Sequence, residues 1–434
     1  MTISDKKTED LFIRGGRVID PSCGRDEEAD VYIRGGYVEE APSRVPDDCR
    51  VIIARNLWVS PGLIDVHVHF REPGQEYKET IETGLNAAAA GGFTAVVCMP
   101  NTQPPLDNAQ LVSRVLSMRD SDLPELYSSC ALTKGREGKE LVDMAACEKA
   151  GAVVFTDDGS GLESDELMTK AFQSCVSLGS IIAQHCEYHE ISAGGVVNKG
   201  TYSQEMGVPG WPADAEISML RRDCSLLEGS GARYHAQHLS CAGSVDVVRN
   251  AKHKGLKISA EVTPHHLLFT EDDVMELGSR VKVNPPLRTK KDRDALREAL
   301  AAGIIDIVAT DHAPHSVEEK SSDLNDAPFG IAGIETAVPV ILKLVHDGIF
   351  SPIRMIEFMS TAPAKLFDLP GGSIMPGQVA NVTIIDPQRS FNVDDTTFRT
   401  KDRNSPCRGM KMPGKAVMTI VGGRVIHEEE GIDV

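Results

Sequence analysis

From Gly62 onward, the chain alternates between short β-rich runs and longer segments that are typical of helices. This pattern predicts parallel strands joined by helical crossovers, with helices over residues 79–90, 108–118, 139–150 and 291–302. The eight β-rich runs are GLIDVHVH, TAVVCMP, ELYSSCAL, AVVFTD, SIIAQHCE, RYHAQHLS, KISAEVTPHHL and DIVATDHAP. Because polar residues gather at the ends of these runs, the pattern favours a closed (β/α)8 barrel over an open sheet.

The two flanks of this region have a different pattern. Residues 10–60 and 379–428 contain apolar alternations with Gly-Gly pairs, which indicate β-hairpins. Neither flank is large enough to bury a core alone. We therefore expect residues 1–60 and 371–434 to form one small β-sandwich beside a barrel of residues 61–370.

Composition excludes several classes of protein. No apolar stretch approaches the roughly 20 residues of a membrane span, and the net charge of −19 disfavours nucleic-acid binding. The first residues lack the blocks of a secretory signal, so we expect a cytoplasmic protein. The ten cysteines include no Cys-x-x-Cys pair, which favours free thiols over disulfides or a thiolate metal cluster.

Two histidines at the end of the first β-rich run are candidate metal ligands. His67 and His69 are separated by one residue, so the two-residue repeat of a strand sends both side chains to one face. In a barrel that face is the interior. Paired imidazoles suit zinc with an open position for water, although two unrelated histidines could give the same pattern.

Other ligand-type residues follow separate β-rich runs in the same way. A local hydrogen bond could explain any one of them, but their common position at strand ends indicates a shared site. Four histidines and two carboxylates can hold two divalent ions. The additional candidates are Asp157, His185, His238 and Asp311.

The motifs HVHFREPGQEYKET, MPNTQPP, FTDDG, KVNPPLR and ATDHAPH resemble those of the bacterial dihydroorotases of the amidohydrolase superfamily, across residues 10–428. The resemblance implies a zinc-dependent hydrolase barrel that interconverts N-carbamoyl-L-aspartate and dihydroorotate. It implies two zinc ions sharing a hydroxide. His67, His69 and Asp311 would bind one ion, His185 and His238 would bind the other, and Asp311 would carry the proton as general acid and base.

The group that bridges the two ions is a departure from many relatives. These relatives use a carboxylated lysine, whereas this chain has Asp157-Asp158 at the corresponding strand end. One bacterial branch of the family has an aspartate there. We favour Asp157 as the bridge and keep Asp158 as the alternative.

The resemblance also implies a set of substrate contacts. Arg71, Asn101 and His315 would bind a substrate carboxylate, although Arg71 could instead form a surface ion pair. Asn284 would contact the ring, unless it is only a turn residue before two prolines. The backbone of Pro328, Phe329 and Gly330 would bind the amide edge of the ring.

Several further expectations follow. The segment 316–333 is either an active-site lid or a surface insertion. His265 and His266 are expected to have packing or supporting roles. The substrate is a small molecule, and the family suggests a homodimer and association with aspartate transcarbamoylase. The alternatives are a hydantoinase or allantoinase and an inactive dihydroorotase-like assembly subunit.

Overall fold

The computed structural model describes residues 9–431, and the amino-terminal flank within it is almost entirely β-structure. Its strands are β1 (Leu11–Asp20), β2 (Arg25–Arg34), β3 (Tyr37–Glu39), β4 (Arg50–Ile53) and β5 (Trp58–Pro61). β1 and β2 form a long antiparallel hairpin through the turn at Gly24, and β1 pairs in parallel with β4 and β5. The predicted hairpin pattern of this flank is therefore present.

The central region contains the eight predicted parallel strands and one small two-stranded sheet. In chain order its strands are β6 (Leu63–Val68), β7 (Phe93–Cys98), β8 (Glu125–Cys130), β9 (Ala152–Phe155), β10 (Ile181–Gln184), β11 (Val197–Asn198), β12 (Gly210–Trp211), β13 (Arg233–Ala236), β14 (Ile258–Val262) and β15 (Ile307–Val308). β11 pairs only with β12, and the other eight form one sheet in chain order from β6 to β15.

Helices follow the barrel strands. In chain order they are α1 (Ile81–Ala90), α2 (Ala109–Ser117), α3 (Met144–Lys149), α4 (Asp165–Leu178), α5 (His189–Ser192), α6 (Thr201–Glu205), α7 (Asp214–Leu227), α8 (Ala242–His253), α9 (Pro264–Leu268), α10 (Glu271–Leu277), α11 (Lys290–Ala301), α12 (Val317–Lys320), α13 (Ala337–His346), α14 (Pro352–Ile356) and α15 (Ala362–Leu366). The helix predicted over residues 139–150 begins only at Met144, where Asp143 caps it.

Contacts between the first and last strands bring the sheet to near closure. Val68, at the end of β6, forms a parallel bridge with His312, just beyond β15. Below this bridge, the buried Asp65 carboxylate accepts hydrogen bonds from the Thr310 backbone N–H at 3.1 Å and the Thr310 hydroxyl at 2.5 Å. The predicted (β/α)8 barrel is thus confirmed, with the carboxyl ends of its strands at one rim.

The carboxy-terminal flank adds β16 (Val382–Asp386), β17 (Phe391–Asn392), β18 (Lys411–Met412), β19 (Lys415–Val421) and β20 (Arg424–Glu428). β16 pairs antiparallel with β5 of the other flank. The order β20-β19-β16-β5-β1-β2-β3, with β4 beside β1, makes one sheet from both ends of the chain. A separate apolar cluster packs on this sheet, around residues such as Ile33, Val59 and Ile384. The two flanks therefore share one hydrogen-bonded sheet and one apolar cluster.

Candidate active site

A cluster of buried histidines and aspartates lies at the carboxyl ends of the barrel strands. His67 is on β6 and His69 just beyond it, while His185 and His238 follow β10 and β13. Asp311 lies three residues past β15 and, like the histidines, is less than a tenth exposed. The barrel therefore brings together ligand-type residues that are up to 244 positions apart in the chain, between His67 and Asp311.

Asp158 lies between all four of these histidines. Its Oδ1 is 3.2 Å from His67 Nε2 and 3.7 Å from both His185 Nδ1 and His238 Nε2. Its Oδ2 is 3.4 Å from His69 Nε2. Although burial opposes ionisation, the surrounding histidines hold the pKa of the Asp158 carboxyl well below its usual range. The group is therefore a carboxylate suited to bridge two cations.

This arrangement corrects the preference for Asp157 as the bridging residue. Asp157 Oδ1 accepts hydrogen bonds from the backbone N–H groups of Leu132 and Thr133, at 2.9 and 3.0 Å, and its Oδ2 accepts one from the Thr133 hydroxyl. Its carboxylate is thus occupied by the loop after β8 and is directed away from the histidines. Because β9 ends at Phe155, the two-residue repeat of the strand does not reach either aspartate.

The donor set fits divalent metal ions. The described part of the structure contains two groups of candidate ligand atoms, and within each group all atoms lie within 4.8 Å of one another. One group comes from His67, Asp158 and His238, and the other from His67, His69 and Asp311. His67 Nε2 and Asp158 Oδ1 face each other, yet neither has a hydrogen-bond partner among the described residues. Buried polar atoms are rarely left unpaired, so a cation between them is the simplest account. Imidazole and carboxylate ligands suit zinc.

The second ring nitrogen of three histidines is held by an oxygen. His67 Nδ1 is 2.6 Å from Glu261 Oε1, and His69 Nδ1 is 2.7 Å from Asn101 Oδ1. His185 Nε2 is 3.2 Å from Glu187 Oε2. Such contacts fix the tautomer and leave the opposite nitrogen as a ligand, as is usual for histidines that bind metals. Sequence reasoning missed Glu261 and Glu187, although Glu187 lies only two residues after His185.

A pocket of about 330 Å³ opens over this cluster. His67 lies beneath it, fully buried, and Asp157 lies outside its lining. The other predicted residues that line it are His69, Arg71, Asn101, His185, His238, Asn284, Asp311, His315, Pro328, Phe329 and Gly330. The structure therefore gathers the predicted metal and substrate residues around a single cleft.

Arg71 is the main cationic group in this pocket. It lies past the end of β6 in a left-handed backbone conformation, with φ of 60°, so a turn rather than the strand repeat directs its side chain. The residue is 8% exposed, and its Nε donates to Pro314 O at 3.1 Å. Among residues 9–431, no carboxylate lies within 4.0 Å of it. The surface ion pair considered as an alternative is therefore absent from the described residues.

His315 is a neutral group beside Arg71. Burial, together with the nearby cations Arg71 and Lys78, lowers the pKa of His315 to about 2. Its Nδ1 accepts from Lys78 Nζ at 3.1 Å, which leaves Nε2–H to donate to Phe329 O at 2.8 Å. His315 therefore also fixes the wall of the pocket, a role that sequence reasoning did not anticipate.

Asn284 has one free acceptor. Its Nδ2 donates to Glu187 Oε2 at 3.3 Å, and its Oδ1 is buried without a hydrogen-bond partner among the described residues. This oxygen is suited to accept an N–H group from a bound molecule. Asn284 thus carries a feature that a simple turn residue would not need.

Comparison with known proteins agrees with this geometry. A protein-family model described as Dihydro-orotase-like matches residues 56–244. The chain is 45% identical over 424 residues to a dihydroorotase of Pelotomaculum thermopropionicum, an alignment that covers 97% of this chain and 99% of the relative. It is 40% identical to a dihydroorotase of Syntrophus aciditrophicus, covering 97% of this chain and all of the relative.

The chain belongs to the dihydroorotase family. Similar solved structures are those of related cyclic-amide hydrolases. An L-hydantoinase (dihydropyrimidinase) from Arthrobacter aurescens superimposes with a TM-score of 0.88 at 26% identity, covering 98% of each chain. A D-hydantoinase (dihydropyrimidinase) from Thermus sp. gives a TM-score of 0.82 at 26% identity, covering 98% of this chain and 96% of the other. The barrel and the added β-flanks are thus common to these enzymes.

Two further histidines adjoin this site. His266 Nδ1 is 2.8 Å from the Thr263 hydroxyl, and its Nε2 is 3.0 Å from Pro285 O. His265 is also buried, and burial lowers its pKa to about 4. Neither belongs to the two groups of candidate ligands found among the described residues. The ten cysteines are all free, and no described helix is long and apolar enough to span a membrane.

Proposed function

We propose that this protein is a dihydroorotase, which interconverts N-carbamoyl-L-aspartate and (S)-dihydroorotate plus water in de novo pyrimidine (UMP) biosynthesis. The observation that carries the proposal is the buried Arg71 guanidinium, which has no carboxylate partner among the described residues and lies beside the histidine and aspartate cluster. A guanidinium fork matches a carboxylate, and burying its charge without an opposite charge is unfavourable. Dihydroorotate carries a free carboxylate on its ring, whereas hydantoin and allantoin do not.

The cofactor of the proposed reaction is zinc, with two ions per subunit. His67, His69 and Asp311 would hold one ion, His185 and His238 would hold the other, and Asp158 would contact both. Bound divalent ions supply a polarised carbonyl and a water of lowered pKa. Metal analysis of the purified protein by inductively coupled plasma mass spectrometry tests this assignment. A chain that binds no divalent metal would favour the inactive assembly subunit instead.

The substrate is oriented by residues on both sides of the pocket. Arg71 and the Asn101 amide hold the carboxylate, with the Arg71 charge supplying most of the attraction, and His315, whose two ring nitrogens already have partners, lines the pocket beside Arg71. Asn284 Oδ1 accepts a ring N–H, and the backbone of Pro328, Phe329 and Gly330 faces the amide edge. This orientation brings the ring carbonyl to the metal-ligand cluster.

Asp311 is the proposed general acid and base. In hydrolysis, a water oxygen bonds to the ring carbonyl carbon, the carbon–nitrogen bond breaks, and Asp311 moves the proton from the water to the leaving nitrogen. The contacts of its carboxylate to His69 and His67 both use Oδ1, at 2.9 and 3.6 Å, which leaves Oδ2 for proton transfer. Asp311→Asn should lower turnover about 10³-fold while the chain stays folded. Near-normal turnover would remove Asp311 from this role.

A hydantoinase or allantoinase is the second candidate, because hydantoinases are among the similar solved structures. The discriminating experiment follows the absorbance of dihydroorotate in the presence of the zinc-loaded protein, with hydantoin and allantoin as parallel substrates. We expect turnover of dihydroorotate alone. Turnover of a ring without a carboxylate at a comparable rate would favour the sister enzymes.

The wider assignments belong to the same proposal. We propose a cytoplasmic homodimer, able to associate with aspartate transcarbamoylase, whose catalytic unit is residues 61–370 and whose second unit combines residues 1–60 with 371–434. The hydrogen-bonded sheet shared by both flanks supports this division. Light scattering of the protein alone and mixed with the transcarbamoylase measures the assembly.

A further inference from the structure

The substrate-facing wall at Pro328–Gly330 has no regular secondary structure, yet its carbonyl groups are all engaged. His315 Nε2 donates to Phe329 O, and Gly330 N donates to Lys282 O at 3.0 Å. The Gly330 backbone, at φ of 130°, approaches Ala313 so closely that an added Cβ would lie 2.4 Å from Ala313 O. The shape of this wall is therefore set by side chains and close packing rather than by a helix or a strand.

Lys320 makes most of these contacts. It ends the short helix α12, and its side chain is almost completely buried, with the residue 4% exposed. Its ammonium donates to Gly330 O at 2.8 Å, Pro328 O at 3.0 Å and Lys282 O at 3.3 Å. An ammonium has three N–H donors, so these three carbonyls use them all.

Burial of the charged Lys320 ammonium is unfavourable in free energy. Within the described part of the chain, no carboxylate lies within 4.0 Å of it, and burial lowers the pKa of Lys320 to about 7. An apolar residue would avoid this desolvation cost but would leave converging carbonyls unsatisfied. The buried ammonium therefore lowers the stability of the fold while it fixes the position of the Pro328–Gly330 segment.

Lys282 also holds the chain segment that runs from Lys320 to Gly330. Its ammonium donates to Leu324 O at 2.7 Å and Asn325 O at 3.0 Å, and it lies 4.6 Å from the centre of the Phe329 ring. This ring also packs edge-on with Trp211, at a centroid distance of 5.6 Å. The two lysines thus cross-link the segment 320–330 to residues 282–284, the irregular run that carries Asn284.

We propose that Lys320 is a positioning residue, which holds the Pro328–Gly330 wall in the shape that binds the cyclic amide. This inference rests on the proposed function only for the identity of the substrate. Loss of the ammonium would let the wall move away from the pocket, while Arg71, Asp158 and Asp311 keep their positions. The effect is therefore on substrate binding rather than on the chemical step.

Kinetics with dihydroorotate give the first test. We expect Lys320→Met to raise KM about tenfold or more with kcat changed less than about threefold, because the wall contacts substrate and transition state alike. Lys320→Arg keeps the charge and several donors and should recover most of the affinity. Lys291→Met, the same substitution at an exposed lysine of α11, is the matched control and should behave as the unmodified protein.

Tryptophan fluorescence gives a second test that does not require activity. The chain has two tryptophans, so a Trp58→Phe background leaves Trp211 as the single reporter against Phe329. In that background, Lys320→Met should shift the emission to longer wavelength as water enters, with an unchanged thermal midpoint of the whole chain. Lys291→Met in the same background should leave the Trp211 emission unchanged.

The outcomes separate the two proposals. If the unmodified protein does not turn over dihydroorotate, the proposed function fails, while the Trp211 emission still decides the role of Lys320. If Lys320→Met leaves both KM and Trp211 emission unchanged, the positioning role is overturned. It is also overturned if Lys320→Met and Lys320→Arg lower kcat and the thermal midpoint equally, because a purely structural role predicts that result.

Discussion

At the scale of single residues, the environment of a carboxylate decides its role more than its place in the chain does. Asp157 and Asp158 are neighbours with the same side chain, yet one binds a loop and the other lies among four histidines. Arg136 strengthens this division, since its guanidinium donates to the backbone oxygens of both aspartates. The loop after β8 therefore fixes which carboxylate enters the site.

The pair of aspartates gives the first prediction. Asp158→Asn should lower both the zinc content and the turnover of dihydroorotate strongly, because an amide is a weaker ligand than a carboxylate between two cations. Asp157→Asn should keep the zinc content but lower the free energy of unfolding by about 1–2 kcal/mol through its Thr133 contacts. Metal analysis and denaturant unfolding of both variants check this, and loss of zinc in Asp157→Asn alone would restore Asp157 as the ligand.

Sequence patterns and the family resemblance together pointed to most of the residues that line the pocket, because histidines and carboxylates at strand ends are easily seen. They did not identify residues that act through a second contact, such as Glu261, Lys78 and Lys320. Glu261 lies within an apolar strand, where its inward direction becomes visible only when β14 lies beside β13. Lysines near a loop are ordinarily exposed, so nothing local predicts the burial of Lys320.

At the scale of elements, a side chain on one strand contacts candidate metal ligands that other strands carry. Glu261, on β14, accepts from the His238 backbone N–H at 3.2 Å and contacts the His67 ring through Oε1. Its Oε2 lies 3.1 Å from His235 Nε2 on β13. One carboxylate therefore links three strands of the barrel beneath the candidate metal ligands.

Glu261 gives a prediction about metal affinity. Glu261→Gln should weaken zinc binding about 10–100-fold, since supporting carboxylates fix the orientation and basicity of the imidazole ligand. Competition with a chromogenic chelator measures this affinity directly, without reference to turnover. Glu190→Gln, the same substitution at an exposed position of α5, serves as the control. Equal zinc affinity in the two variants would contradict the supporting role.

Helix α7 is joined to the barrel by a buried carboxylate. Asp223 accepts from the Tyr234 hydroxyl at 2.8 Å, from Gln184 Nε2 at 3.3 Å and from Arg222 Nε at 2.7 Å. Burial raises the pKa of Asp223 to about 6 in spite of these donors. The folded protein therefore binds this proton more tightly than the unfolded chain does.

This difference gives a pH-dependent prediction. Because the folded pKa is raised, the contribution of Asp223 to stability is complete below pH about 4 and is lost as the pH rises through about 6. Compared with Asp223→Asn, which does not titrate, the unmodified protein should lose roughly 1 kcal/mol of unfolding free energy between pH 5 and pH 7. Urea unfolding of both proteins at these two pH values measures the difference. If the unfolding free energy of the unmodified protein, relative to that of Asp223→Asn, stays constant or rises with pH, the raised pKa of Asp223 is contradicted.

At the scale of the whole molecule, the repeat of strands and helices was sufficient to predict the barrel, because period and strand count are local properties. The arrangement of the flanks was only partly predictable. Hairpin signals indicated β-structure at each end, but the pairing of β16 with β5 joins residues more than 300 positions apart. Such pairing depends on shape and register across the sheet, which no local pattern encodes.

The junction between the barrel and the flank sheet depends on a close backbone approach at Gly92. This glycine lies between α1 and β7, with φ of 91°, and its carbonyl accepts from the Thr383 hydroxyl on β16 at 2.6 Å. An added Cβ would lie 2.7 Å from Ala416 Cβ and 2.9 Å from Thr383 Cγ2. The Ala416 methyl has no other rotamer to adopt, so relief of the contact requires movement of the sheet.

Gly92→Ala should therefore destabilise the protein for two separable reasons. The positive φ alone costs about 1–2 kcal/mol for any residue with a Cβ, and the overpacking adds about 1–3 kcal/mol. Gly255→Ala isolates the first contribution, because Gly255 has φ of 77° and no atom within 4 Å of the added Cβ. Denaturant unfolding of the two variants should give a clearly larger loss for Gly92→Ala. Equal losses of unfolding free energy in the two variants would mean that the flank sheet can move to accept the added Cβ. The junction at Gly92 would then not be tightly packed.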